Sequence, residues 1–173
     1  MCKWFIMLIC FSNVAFSCKK EQVGYTIINN DLYKDSLLNN AADTVFLDSL
    51  KLFLFGQLAR NFSPSEPPDP NGGPLSSYMS VINLNNSAIP KNFKFNKQFV
   101  INGSQIWVSS PSPSSYRPYH AFQSPNYFIS AASFNGPDWG PNILVDLVAE
   151  IKDTISNKSY LIKAVNLNIQ EVQ

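Results

Sequence analysis

Gln98-Phe99-Val100-Ile101-Asn102-Gly103-Ser104-Gln105-Ile106-Trp107-Val108 is two apolar runs separated by an Asn-Gly step. That step is the strongest short-range signal for a β-hairpin, because both central residues of a type I′ turn need positive φ and these two residue types tolerate it. Strands resume on either side. Upstream, Phe93-Lys94-Phe95-Asn96-Lys97 alternates apolar with polar, and Tyr78–Leu84 does the same. Downstream, Tyr127–Ala132 reads as a strand, Asn142–Lys152 places Ile143, Val145, Leu147, Ala149 and Ile151 on one face, and Tyr160–Val172 follows a turn at Asp153–Ser159.

Val45–Arg60 is harder, since Leu50, Leu52 and Leu54 suit a strand face while Leu50, Phe53, Leu54 and Leu58 suit a helix stripe. The Leu-Phe-Leu-Phe alternation and Gly56 favour a strand buried on both faces near its centre. Two long loops interrupt the pattern. Residues 61–77 carry five Pro and a Gly-Gly pair, and Pro111 to Pro125 bound a second loop rich in Ser and Tyr. Each Pro removes a backbone donor and restricts its predecessor, so the first of these loops can hold no central strand or helix. The whole predicts an all-β domain over 45–173, an antiparallel β-sandwich of about seven strands, immunoglobulin-like or similar. No internal repeat stands out.

Composition agrees. Thirteen Phe, seven Tyr and twelve Pro among 173 residues favour strands joined by turns over a helical bundle. Charged residues are only 14%, and 13 basic against 12 acidic side chains leave no surplus to neutralise a phosphate backbone, so nucleic acid is not an expected partner.

The N-terminus reads Met1-Cys2-Lys3, an apolar run Trp4–Phe11, then Ser12-Asn13-Val14-Ala15-Phe16-Ser17-Cys18-Lys19-Lys20-Glu21. A positive start, a short apolar stretch and a small residue before the cut are the parts of a secretory signal peptide, here 1–17. Ala15-Phe16-Ser17-Cys18 resembles the lipobox of bacterial lipoproteins, with Phe16 bulkier and Ala15 smaller than is usual there. The resemblance covers this segment alone. It implies palmitate-type acylation of Cys18, export and anchoring to a bacterial cell membrane. Lys19, where a retention signal would have Asp, implies the outer membrane, and the Lys19-Lys20-Glu21 tag implies exposure outside the cell. Each buried methylene contributes about 0.8 kcal/mol, so two or three acyl chains hold firmly where one does not. A signal peptide cut elsewhere, or a short uncut anchor, are the other readings of these residues. Cleavage would remove Cys2 and Cys10, leaving Cys18 without a disulfide partner, and would leave a neutral chain. Residues 18–44 then read as a tether with a possible first strand at Val23–Ile28; Leu32–Ala42 shows only weak helical spacing.

Chemistry is sparse. His120 is the single imidazole, no G-x-S-x-G elbow accompanies it, and no metal-binding spacing occurs. Asp146 and Glu150 on one strand would stand about 13 Å apart, too far for a glycosidase pair. No catalytic residue, metal site or cofactor is therefore expected. The most distinctive segment is Phe134-Asn135-Gly136-Pro137-Asp138-Trp139-Gly140-Pro141-Asn142, in which two Gly-Pro steps stiffen the chain around one indole. Together with Val145-Asp146-Leu147-Val148 it resembles small secreted β domains of unassigned function, over roughly the last 70 residues, and that likeness implies no activity. Trp139 either folds inward to plug one end of the sandwich or forms a ligand surface with Tyr116, Tyr119 and His120. A glycan would need Trp139 joined by Tyr116, Tyr119 or Tyr127. The expected function is a membrane-anchored, non-catalytic binding or accessory module for a glycan or protein partner; a structural component of an envelope complex comes second, a hydrolase third.

Overall fold

The computed structural model describes residues 25–63, 72–116 and 127–173. The expected signal peptide, Cys18, Tyr119 and His120 lie outside the described residues.

The hairpin forms where the Asn-Gly step stands, between β5 (Phe93–Asn102) and β6 (Gln105–Ser109). Its turn is one residue further along than a type I′ reading requires. Asn102 pairs with Gln105, so the central residues are Gly103 and Ser104, and only Gly103 has positive φ, at 58°. Gly at the first central position belongs to the type II′ class.

Around this hairpin one limb of sheet grows. β1 (Thr26–Asn29) pairs with β6, β9 (Leu144–Asp153) with β5, and β10 (Ser159–Val172) with β9, all antiparallel. The second limb comprises β3 (Leu50–Asn61), β4 (Ser76–Asn83), β8 (Phe128–Ser133) and the two-residue β7 (Ser112–Pro113), with β2 (Thr44–Leu47) beside β3. β10 joins the limbs. Its last residues, from Ile169, run parallel to β3 from Leu58, so the order is β1-β6-β5-β9-β10-β3-β4-β8-β7 in one curled, mixed sheet.

The all-β expectation holds, and the expected strand arrangement is corrected in two respects. Among the described residues there are ten strands rather than about seven, and the β10–β3 pair is parallel rather than antiparallel. The extra strands have local causes. Asp48 at φ 48° splits the expected 45–60 strand into the β2–β3 hairpin, and Ser112–Pro113 adds a short edge in the second loop.

The main core fills the space between the limbs, with Leu52, Leu54 and Leu58 facing Val100, Trp107, Leu147 and Ile162. Residues before Val45 also join the fold. Helix α1 (Asp31–Asn40) lies on the outer face of the first limb, where Leu37 and Ala41 pack with Phe99, Ile101, Ile106 and Val148. Asn30 caps it by accepting from the Tyr33 amide at 2.9 Å, and Lys163 Nζ donates to the Leu38 carbonyl near its end. β5 is thus buried on both faces over its residues 98–101, and β9 over 147–149. β3 is not: its inner Leu are fully buried, but no described helix covers the other face, where Phe53 is exposed and Phe46 on β2 is 70% exposed. Among the described residues no helix is long and apolar enough to cross a membrane.

Candidate binding groove and the loops around it

The curl of the sheet leaves a split between β3 and β10. Their parallel ladder begins at Leu58 and Ile169; just short of it β10 bulges, with Asn166 at φ 57° and its amide donating to Asp146 Oδ1 at 2.9 Å. A bulge bends the strand that carries it, which separates this wall from β3. Gly56 lies opposite. A Cβ there would come within 2.5 Å of the core Leu147 Cδ2 and 2.8 Å of Leu167 Cδ1, so glycine lets Leu167 lie against β3 and line the split.

The resulting open groove measures about 510 Å³. Four carboxamides line it, Gln57, Asn166, Asn168 and Gln170, with the rings of Phe55 and Tyr116; none of its described lining residues is charged. Tyr116 O–H donates to Gln57 Oε1 at 2.6 Å, and Gln57 Nε2 donates to Gln170 Oε1 at 2.8 Å. Burial pushes the Tyr116 phenol above its usual pKa, which keeps it a neutral donor. Its ring rests on Tyr78 at 5.3 Å, and Tyr78 in turn meets the edge of Phe134 at 5.7 Å. Phe134 is 54% exposed, so an aromatic row leads from the groove to the Gly-Pro loop.

Trp139 does not share that row. It is 9% exposed, belongs to the core between the limbs, and donates Nε1–H to Gln105 Oε1 at 2.9 Å. The loop around it is fastened from two sides. Gly136 sits flat on Trp107, where a Cβ would fall 2.7 Å from the indole, and its amide donates to the Leu75 carbonyl. From β3 the buried Arg60 donates to the carbonyls of Gly73 at 3.0 Å, Asp138 at 3.3 Å, Trp139 at 3.3 Å and Gly72 at 3.4 Å. The Asp138 carboxylate stands 3.7 Å away, and the guanidinium also lies 5.3 Å from the Phe62 ring centroid.

Of the candidates read from sequence, Tyr116 therefore lines a groove and Trp139 packs inward. Sequence reading missed Gln57, Gln170 and Arg60, whose partners lie 59, 113 and up to 79 residues away. Asp146 and Glu150 serve local bonds, to the Asn166 amide and to Asn96 Nδ2. Among the described residues no group of three His, Cys, Asp or Glu could hold a metal ion. No known protein family, no curated protein and no solved structure matches this chain.

Proposed function

We propose that the chain is an exported lipoprotein, anchored by acyl chains on Cys18 to a bacterial outer membrane with its domain facing outward, and that the domain binds a neutral saccharide without catalysis. The two limbs then serve as the leaves of a sandwich that presents the groove. The observation that carries the binding reading is the uncharged, carboxamide-lined groove with Tyr116 fixed at its side. Sugar hydroxyls both donate and accept, and so do carboxamides, while a ring face suits the apolar side of a pyranose. A charged ligand would lose its hydration there with no counter-charge among the described lining residues. The anchor rests on Ala15-Phe16-Ser17-Cys18.

Two measurements test this. Cys18→Ala should abolish palmitate labelling and release the protein from membranes; retention of the variant in membranes would instead support an uncut N-terminal anchor. On a glycan array the wild type should bind neutral saccharides, and Gln57→Ala should weaken that binding tenfold or more with little change in stability. No binding to any neutral saccharide by a folded protein would refute the groove's role. The exposed Phe46 and Phe53 on the uncovered face of the second limb favour one other reading, a packing component of an envelope complex. In that case Phe53→Ser, rather than Gln57→Ala, would shift the size of the membrane-extracted complex.

A further inference from the structure

Independently of the groove, we infer that the domain holds a resident cluster of water molecules between its limbs, bound around Gln98. Strand alternation dictates the placement. β5 bulges at Asn96, and beyond the bulge Gln98 and Val100 face the core while Phe99 and Ile101 face α1. Gln98 is fully buried, yet among the described residues neither its Oε1 nor its Nε2 has a hydrogen-bond partner. It is not alone. Ser77 Oγ and Trp107 Nε1, both on fully buried residues, likewise have no partner among the described residues.

The ladder registers place these groups in one seam. Gln98 stands opposite Ser109 on β6 and opposite Ala149 on β9. Ser109 Oγ crosses between the limbs to donate to Ser133 Oγ at 2.9 Å, and Ser133 stands opposite Ser77 on β4. Trp107 is two residues before Ser109 on the same face of β6. Ser and Ala thus surround the glutamine, where the neighbouring core positions hold Val, Leu and Trp, and small side chains leave room.

Buried amides and indoles in folded proteins nearly always have partners, because an unpaired one forfeits its hydration for nothing. The occupant must supply acceptors to Gln98 Nε2 and Trp107 Nε1 and a donor to Gln98 Oε1 at once. A monatomic ion satisfies one sign only, and an apolar molecule neither. Water meets all of these demands, and each buried water needs two to four polar partners such as this seam provides. Trp107 and Ser109 also line a surface groove of about 360 Å³, beside Lys97 and Phe134.

The test uses the full-length chain, labelled with ¹⁵N. The Trp107 indole proton and the Gln98 side-chain amide protons should show cross-peaks to water whose NOE and ROE have opposite signs, the signature of long-lived water. Gln98→Leu should remove the Trp107 cross-peak or greatly weaken it, and the milder Ser77→Ala offers a second variant. Absence of water cross-peaks at both sites in the folded wild type would overturn the inference, as would cross-peaks to a molecule that is neither water nor the chain.

Discussion

Replacing Arg60 by Met keeps the length of the side chain and removes every hydrogen bond that its guanidinium makes. Among the described residues those bonds reach four carbonyls in two loops that are distant in sequence, at 3.0 to 3.4 Å. Hydrogen bonds to a charged group contribute about 1.5–3 kcal/mol each, but bonds sharing one guanidinium do not add. The Asp138 carboxylate adds little, being 77% exposed on its side chain and 3.7 Å away. Met restores some apolar contact with Phe62 but leaves carbonyls unsatisfied. The expected loss is about 3–5 kcal/mol. For a domain of this size that corresponds to a Tm lower by roughly 6–20 °C. Asp138→Asn should cost about 0.5 kcal/mol or less, which separates the carbonyl contacts from the ion pair. Urea titration followed by fluorescence measures both, with Trp139 emission moving to the red as its loop loosens in Arg60→Met. A loss below about 1 kcal/mol in Arg60→Met would mean that the loops stand without the guanidinium, and the reasoning would fail.

The same loop gives a second expectation: Trp139→Ala removes a core indole and should lower stability by about 3–5 kcal/mol, checked by thermal melting, with wild-type Tm the contrary result. Gly103→Val should cost about 1–3 kcal/mol, because φ of 58° is strained for a β-branched residue; Gly103→Asn should cost clearly less, since nothing lies within 4 Å of a Cβ there and only the dihedral matters. Gly56→Ala should lose about 1–3 kcal/mol by forcing Leu147 and Leu167 apart, and equal stability in denaturant would show that the floor of the groove yields freely. Asp153 is held down to about 2 by hydrogen bonds from Ser156, Asn92 and the Ile155 amide, so the folded chain binds its proton less readily than the unfolded one. Its stabilising contribution is complete above the ordinary carboxylate range and disappears as pH falls toward 2. Asp153→Asn should flatten that part of a stability-versus-pH curve, and an unchanged slope would contradict the assignment.

Local chemistry was readable and remote chemistry was not. The hairpin follows from Asn102-Gly103 with its apolar flanks, yet the choice between Asn-Gly and Gly-Ser as central residues depends on which residues pair, and the Asn102–Gln105 register decides it. Helix α1 has too weak an apolar stripe to announce itself. It forms because Asn30 caps it and because Leu37 and Ala41 find the outer face of a sheet made by strands that follow it in sequence. β3 looked buried on both sides because its Phe and Leu are equally apolar, and only the position of α1 on the other limb shows which face stays open. For Trp139 the residues allowed either direction, and Gln105 with the Arg60 clamp turns it inward.

The location of the groove follows from the same strand that closes the core. β10 serves both limbs: it pairs with β9 from Ser159 to Asn168, across the bulge between Ala164 and Leu167, and with β3 only from Ile169. Before Leu58 and Ile169 β3 and β10 are not paired with each other, and the opening is lined by what those strands carry outward. Here they carry Gln57, Asn166, Asn168 and Gln170, side chains that cost little to hydrate and can trade water for hydroxyl groups. Charged residues at the same positions would have protected an irregular edge against aggregation just as well. On the proposed reading, carboxamides with a phenol fixed at 2.6 Å from one of them suit a different demand, recognition of an uncharged ligand, and the place to test for one is between β3 and β10 rather than at the tryptophan loop.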